Sequence, residues 1–340
     1  MSALRGAVIG CGFFAQNHLK AWGNVDGAEL AAVCDLDPGK AEAAADLTGA
    51  KAYTDAGAML RHENLDFVDI ATTMETHETL AAMAADAGAT NNCPKPFAPE
   101  IATCRRIVEH TETAGVPIMV HENFRFQTPL IELKAAIDRG DIGQPFFAHI
   151  SWRTGYDVVA GQPYLAEVER FIILDLGIHL LDVARFLVGD ADEIFARTQR
   201  TLAGAKGEAS AIMSLHHETG AVCEITCSYT TRIDPDPFPQ TLIEVEGRTG
   251  TLKLSHDYRL EWHRKDGLKT RTVAPHPPAW ADPQWALVQE SVLNTQQHFI
   301  DCLKAGKAPQ TEGRDNLKTF ALVEAAYASA AAGQPMKPKP

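Results

Sequence analysis

Six residues near the start of the chain constrain its fold most. Gly10-Cys11-Gly12-Phe13-Phe14-Ala15 follows the apolar run Ala7-Val8-Ile9 and leads into a segment of helical character. A strand, a glycine turn and a helix in that order open a parallel, doubly wound sheet. The first glycine permits the tight turn, and the second lets backbone approach a pyrophosphate. The small Ala15 allows close packing of helix on strand. The unpaired N–H groups at the helix start are donors for phosphate oxygens. Asp35 lies 35 − 12 = 23 residues beyond the second glycine, at the end of the next apolar run, Leu30 to Cys34. A carboxylate there bonds ribose hydroxyls. Asp37, just before Pro38, reads as a helix cap. Asp35 would repel a 2′-phosphate and Leu36 brings no positive charge, so NAD is favoured over NADP. The turn residues Gly10, Gly12, Phe13 and Phe14, together with Asp35, are the expected cofactor contacts.

The turn belongs to a longer pattern. Up to His121, short apolar runs (Phe67 to Ala71 and Ile118 to Val120 among them) alternate with Ala-rich helical segments at Pro38 to Thr48, Thr76 to Ala87 and Pro99 to Ala114. Such alternation marks a parallel sheet covered on both faces. Gly88 and Gly115 fall where helix C-caps are needed. After His121 the pattern changes. Helices are expected at Thr128 to Arg139, Leu174 to Leu187, Gln284 to Leu303 and Arg314 to Ala331. Strands are expected at Phe146 to Trp152, Glu193 to Thr201, Ala209 to His216, Ala221 to Thr230, Leu242 to Glu246 and Thr251 to Leu254. Turn residues such as Gly247-Arg248-Thr249-Gly250 and Asp266-Gly267 suit hairpins. The fold class is therefore α/β. A Rossmann domain is expected over residues 1–121, and an α+β domain with a large, mostly antiparallel open sheet over residues 122–340.

Composition excludes several partners. The 340 residues carry 31 basic against 44 acidic side chains, a net charge of −13. Nucleic acid needs a basic footprint and anionic membranes repel acidic surface, so neither is expected as a partner. Neither a signal-peptide core nor an apolar run of spanning length is visible. The seven cysteines contain no C-x-x-C pair, and Cys223 and Cys227 share one face of a strand-like run as small core residues. No metal site is expected, and the chain reads as a reduced, cytoplasmic protein.

The motifs then become specific. Ala71-Thr72-Thr73-Met74-Glu75-Thr76-His77, Ala87-Gly88, Cys93-Pro94-Lys95-Pro96, Asp175-Leu176-Gly177-Ile178-His179-Leu180-Leu181-Asp182 and Glu312-Gly313-Arg314-Asp315-Asn316 occur in this order. With the glycine turn, they resemble the Gfo/Idh/MocA family of NAD(P)-dependent sugar and polyol oxidoreductases over nearly the whole chain. The resemblance implies a homodimer or homotetramer built through the C-terminal sheet. It also implies that Lys95 faces the nicotinamide, with Thr72 and His77 in the loop region beyond the fourth strand. The ammonium of Lys95 would bond a substrate hydroxyl and stabilise negative charge as hydride leaves. This sequence departs from the family pattern next to Lys95: Pro94 replaces the usual Glu or Gln, and Thr90-Asn91-Asn92 replaces apolar strand residues. Buried asparagines require hydrogen-bond partners.

Asp175 and His179 are four apart on a predicted helix that is otherwise apolar, so they share a face, which Asp182 continues. By the resemblance, His179 is the general base, a role suited to imidazole as a side-chain type at neutral pH. Asp175 orients the substrate or the lysine–histidine constellation, and Asp182 is structural. Asn123 and Arg125 resemble the family's Asn-x-Arg crossing segment, which lines the substrate cleft or binds domain to domain; with Arg153, Tyr156 and Tyr164 they are candidate sugar contacts. The segments around Phe124 to Phe126, Tyr156 to Tyr164 and Phe171 to Asp175 are similar to members that oxidise aldoses such as D-apiose. Inositol dehydrogenases, the family's NAD-dependent glycosidases and a non-catalytic NAD-binding regulator are the alternatives. The regulator is suggested by Pro94 and the Asn91-Asn92 pair.

Overall fold

A computed structural model describes residues 3–340. In chain order the elements are β1 (Leu4–Ile9), α1 (Ala15–Trp22), β2 (Ala28–Cys34), α2 (Pro38–Thr48), β3 (Lys51–Tyr53), α3 (Ala56–His62), β4 (Phe67–Ile70), α4 (His77–Asp86), β5 (Thr90–Pro94), α5 (Ile101–Thr113) and β6 (Ile118–His121). There follow α6 (Thr128–Asp138), β7 (Pro145–Arg153), the single turn α7 (Val158–Gly161), α8 (Ile178–Val188), β8 (Ala191–Gln199), β9 (Ser210–His217), β10 (Val222–Ser228) and β11 (Leu242–Gly247). The chain closes with β12 (Gly250–Ser255), β13 (Arg259–Arg264), β14 (Gly267–Thr272), α9 (Ala286–Ala305) and α10 (Gly313–Ala332).

The chain forms two compact units. One comprises the chain up to Asn123 together with Pro277–Leu317; the other comprises Phe124–His276 and Lys318–Pro340. A second domain running unbroken from residue 122 to the C-terminus was the expectation. Instead, the segment carrying α9 returns to the first unit. There α9 packs on α1, and Val120 N–H donates to Thr311 O while the Thr311 hydroxyl donates to Val120 O. Contacts so distant in sequence leave no local trace in a helical pattern.

The first unit holds a six-stranded sheet of order β3-β2-β1-β4-β5-β6, parallel throughout. Strands β4 and β6 are buried end to end, as a sheet covered on both faces requires. Helix α2 is capped by Asp37, whose carboxylate accepts from Gly39 N–H at 2.9 Å, with Pro38 as the first helical residue. Gly88 and Gly115, at φ +79° and +72°, occupy the left-handed positions after α4 and α5.

The second unit holds an eight-stranded sheet of order β14-β13-β12-β11-β7-β10-β9-β8. Its pairings are antiparallel except β7 with β10. Buried residues alternate along β9 and β10, so one face is core and the other is open. Cys223 and Cys227 lie on the buried face with Ile225. All seven thiols are free; burial pushes those of Cys11 and Cys227 up to about 12. Strands β13 and β14, of which only the intervening turn stood out in the sequence, end the sheet on one side, and the edge strand β14 carries Lys269 and Arg271 with every residue exposed. Charged edges of this kind discourage pairing with other chains.

The helix expected from Leu174 to Leu187 opens differently. Residues Ile173–Gly177 form a π turn that runs directly into α8. Its leading N–H groups are taken by side chains far away in sequence: Phe171 and Ile173 N–H donate to Glu208, and Leu174 N–H donates to the Tyr327 hydroxyl. Tyr327 in turn donates to Glu208 at 2.7 Å. Local periodicity cannot report such anchors, and π turns of this kind recur at functional sites.

Candidate active site

In the first unit, the nucleotide turn has the conformation its glycines were expected to supply. Gly10 has φ +97°, and a Cβ there would lie 2.5 Å from Ala71 O. A Cβ on Gly12 would meet nothing within 4 Å, leaving open space over the turn. Asp35 Oδ2 accepts from Cys11 N–H at 2.8 Å and Oδ1 accepts from Asp37 N–H at 2.9 Å. The carboxylate is thereby tied to the glycine turn, and a second lone pair on each oxygen remains for ribose hydroxyls. Phe13 is 71% exposed, and Phe14 sets its ring edge against His18. Open space over a glycine, a fixed carboxylate and a helix N-terminus without a side-chain cap fit a dinucleotide.

Lys95 directly follows β5 and precedes Pro96, and the chain then buries Phe97 completely. His77 ties this loop to the one after β4. Its Nδ1 lies 3.0 Å from Phe97 O, and its Nε2 lies 3.3 Å from Thr72 O. Burial pushes the His77 pKa down, outweighing the two carbonyl contacts. A neutral ring donates from one nitrogen only, and the shorter contact assigns that proton to Nδ1. His77, expected among the cofactor contacts, is thus a buried brace between two loops. Thr72 shares a 2.7 Å hydroxyl contact with Thr76. Asn123 donates to Ser291 Oγ at 2.7 Å, anchoring the end of the first stretch of this unit to α9.

The asparagines of β5 find different surroundings. Asn91 and Asn92 are both fully buried. Asn92 Nδ2 donates to Asp69 Oδ1 at 2.9 Å and approaches His121 Nδ1 at 3.1 Å. Asp69, also fully buried, accepts further from His18 Nδ1, Trp22 Nε1 and Gln296 Nε2 on its other oxygen. The odd polar strand is therefore one wall of a polar core beneath the loop that carries Lys95. Asn91 makes only long contacts, 3.4 Å to Ala81 O and to Ala89 O.

In the second unit, Asp175 and His179 stand on the π turn and the first turn of α8. Asp175 Oδ2 accepts from the Tyr229 hydroxyl at 2.8 Å. Burial, with the Asp175 carboxylate second, pushes the Tyr229 pKa well up, so its hydroxyl remains a donor. Phe171 and Trp152 pack against that ring. The His179 imidazole is buried and stacks on Phe124, with ring centres 4.0 Å apart and planes within 5°. Arg125 departs from its expected role as a sugar contact: its Nε and Nη2 clasp Asp182 at 2.7 and 2.5 Å, deep in the unit. A guanidinium fork matches a carboxylate in this way. Asp182 also accepts from Thr319, tying α8 to α10 as its structural reading implied. Arg153 ends β7, Tyr156 stacks on Phe238 at 4.0 Å, and Tyr164 is 60% exposed with its hydroxyl on Gln162. Tyr229, Glu208 and Tyr327 escaped the sequence reading because each acts through a partner at least 35 residues away.

Two family models match the chain: the Gfo/Idh/MocA oxidoreductase family with NAD-binding Rossmann fold over residues 4–122, and the Gfo/Idh/MocA C-terminal domain over residues 130–253. A D-apiose dehydrogenase of Paraburkholderia graminis is 52% identical over 98% of this chain and 90% of its own length. Another, from Rhizobium rhizogenes, is 48% identical over 98% of this chain and 97% of its own. A crystal structure of an oxidoreductase from Agrobacterium radiobacter, in complex with NAD+, L-tartaric acid and magnesium, superposes with a TM-score of 0.97 at 48% identity. That match covers 99% of this chain and 98% of the other. Turn, sheets and sequence agree: the chain belongs to the Gfo/Idh/MocA family of NAD-binding oxidoreductases.

Proposed function

We propose that the protein is an NAD-dependent sugar dehydrogenase whose substrate is D-apiose. The observation that carries this reading is the 48–52% identity, over 98% of the chain, to two relatives named for that activity. NAD, when bound, accepts the hydride that leaves the substrate's carbinol carbon. The chain's own residues manage the accompanying proton and charge. His179 takes the hydroxyl proton, and the Lys95 ammonium bonds the same substrate oxygen and offsets its developing negative charge. Asp175, held by Tyr229, orients a substrate hydroxyl. Pro94 offers Lys95 no side-chain acceptor; the chain on either side of Lys95 is held by Asn92 on Asp69 and by His77 on Phe97 O. Arg153, Tyr156 and Tyr164 are the remaining candidates for sugar contact.

A cytoplasmic homo-oligomer completes the reading. The open face of the second sheet, with Ile212 and Val222 among its exposed residues, is the surface through which copies would associate. The test is absorbance at 340 nm with NAD and a panel of D-apiose, other aldoses and myo-inositol. Turnover fastest on D-apiose is expected, and a clear preference for myo-inositol or for none of the panel sinks the substrate assignment. Replacing His179 with alanine is expected to lower kcat by roughly 10²–10⁴-fold at unchanged KM for NAD. Ordinary turnover in that variant removes His179 as base.

A further inference from the structure

We propose that Phe124 is the positioning residue for His179: its ring holds the imidazole in one plane, with one nitrogen presented for proton transfer. This rests on His179 being the base. The two rings lie face to face, centres 4.0 Å apart and planes within 5°. Both are buried, at 7% and 5% exposure. Parallel planes at this centre separation fit an offset stack, an arrangement favourable to neutral rings. A cationic ring over a phenyl face is attracted by the ring quadrupole. The arrangement therefore suits the imidazolium that His179 becomes on taking a proton.

A buried ion pair lies next to the stack in sequence. Phe124 opens the short 3₁₀ turn Phe124–Phe126, and the next residue, Arg125, clasps Asp182. Asp182 sits three positions after His179 on α8, and Thr319 donates to it at 3.0 Å. The turn and the helix are thus bolted together by a directional, buried ion pair one helical turn from the stack. A shift of the turn that carries Phe124 would strain that pair. A general base requires this kind of fixed orientation, since small misplacements cost orders of magnitude in rate.

The test compares Phe124→Leu, Phe124→Tyr, His179→Ala and the double variant Phe124→Leu/His179→Ala, assayed with NAD and the sugar turned over fastest by the parent enzyme. Leucine nearly conserves volume but removes the face, and tyrosine keeps it. Expected are an about tenfold lower kcat for Phe124→Leu at unchanged KM for NAD, and near-parent turnover for Phe124→Tyr. In the His179→Ala background, Phe124→Leu should cost nothing further. NMR of ring-labelled histidine should show the His179 signal losing its ring-current shift in Phe124→Leu and keeping it in Phe124→Tyr. An additive loss in the double variant, or an unmoved His179 signal, overturns the positioning role. Ordinary turnover in His179→Ala alone overturns the base assignment instead, and the NMR comparison still decides the stack.

Discussion

Replacing Asp69 with leucine should destabilise the first unit by about 3–5 kcal/mol, and the geometry supplies the figure. The carboxylate accepts from His18 Nδ1 at 2.9 Å, Trp22 Nε1 at 2.6 Å, Gln296 Nε2 at 3.2 Å and Asn92 Nδ2 at 2.9 Å. Two of these donors keep a second acceptor after the change: Gln296 retains His18 O, and Asn92 retains His121 Nδ1. The other two, His18 Nδ1 and Trp22 Nε1, lose the acceptor they have in this cluster. A stranded buried donor costs roughly 1–3 kcal/mol and a lost bond with a spare acceptor about 1, partly offset by the added apolar burial of leucine, of order 1–2 kcal/mol. Asn92→Leu breaks two contacts and strands no carboxylate, so about 1–2 kcal/mol is expected. Urea unfolding followed by far-UV circular dichroism measures both. A loss under about 1 kcal/mol for Asp69→Leu, or equal losses for the two variants, would refute the placing of Asp69 at the centre of this core.

Two glycines of the nucleotide turn should separate folding from cofactor binding. Gly10→Ala, with its Cβ driven into Ala71 O, should lower both stability and NAD affinity, whereas Gly12→Val should unfold at the parent midpoint yet lose NAD by titration calorimetry. Asp182→Ala leaves the Arg125 guanidinium buried without its carboxylate and should cost about 3–5 kcal/mol in denaturation, while Arg125→Met/Asp182→Leu should recover most of it. Burial depresses the pKa of both His77 and His217. The unfolded chain therefore takes up protons first as pH falls through about 6.5, and stability, full above that pH, should decline as pH is lowered below it. His217→Gln should flatten this decline; an unchanged slope would remove His217 from the effect.

How much was legible depends on the distance over which each residue finds its partner. Gly10, Gly12 and Asp35 lie within one βαβ unit, so spacing sufficed to locate the turn and the carboxylate bonded to it, and Asp37 caps a helix two residues away. The helix ends at Gly88 and Gly115 were readable for the same reason. Asn91 and Asn92 looked out of place because a parallel strand should be apolar; Asn92 answers to Asp69 and His121, 23 and 29 residues away. Arg125 was assigned to substrate because an arginine beside a cleft motif invites that reading. Its partner Asp182 is 57 residues on, and nothing local distinguishes a clasped guanidinium from an available one. The π turn fails the same way, since Glu208 and Tyr327 are invisible to a pattern counted over one helix.

Three buried carboxylates do a job that apolar packing could not. Asp69 joins α1, β4, β5 and α9; Asp182 joins α8 to the Phe124 turn and α10; Glu208 fixes the start of the π turn and meets Tyr327. For stability alone, a well-packed apolar substitute for a buried ion pair is often neutral or better. Leucine contacts, however, are tolerant of sliding by a fraction of an ångström, whereas a bidentate clasp or a bond to a particular N–H has a direction. The π turn carries Asp175, and the helix it enters carries His179, so any slip in either anchor moves both groups. Polar cost in the core is therefore best understood as the means by which this chain sets the register of the π turn and of the helix that carries His179. The −13 net charge can then be left to the surface, because inside the fold each of these carboxylates is answered by donors arranged around it.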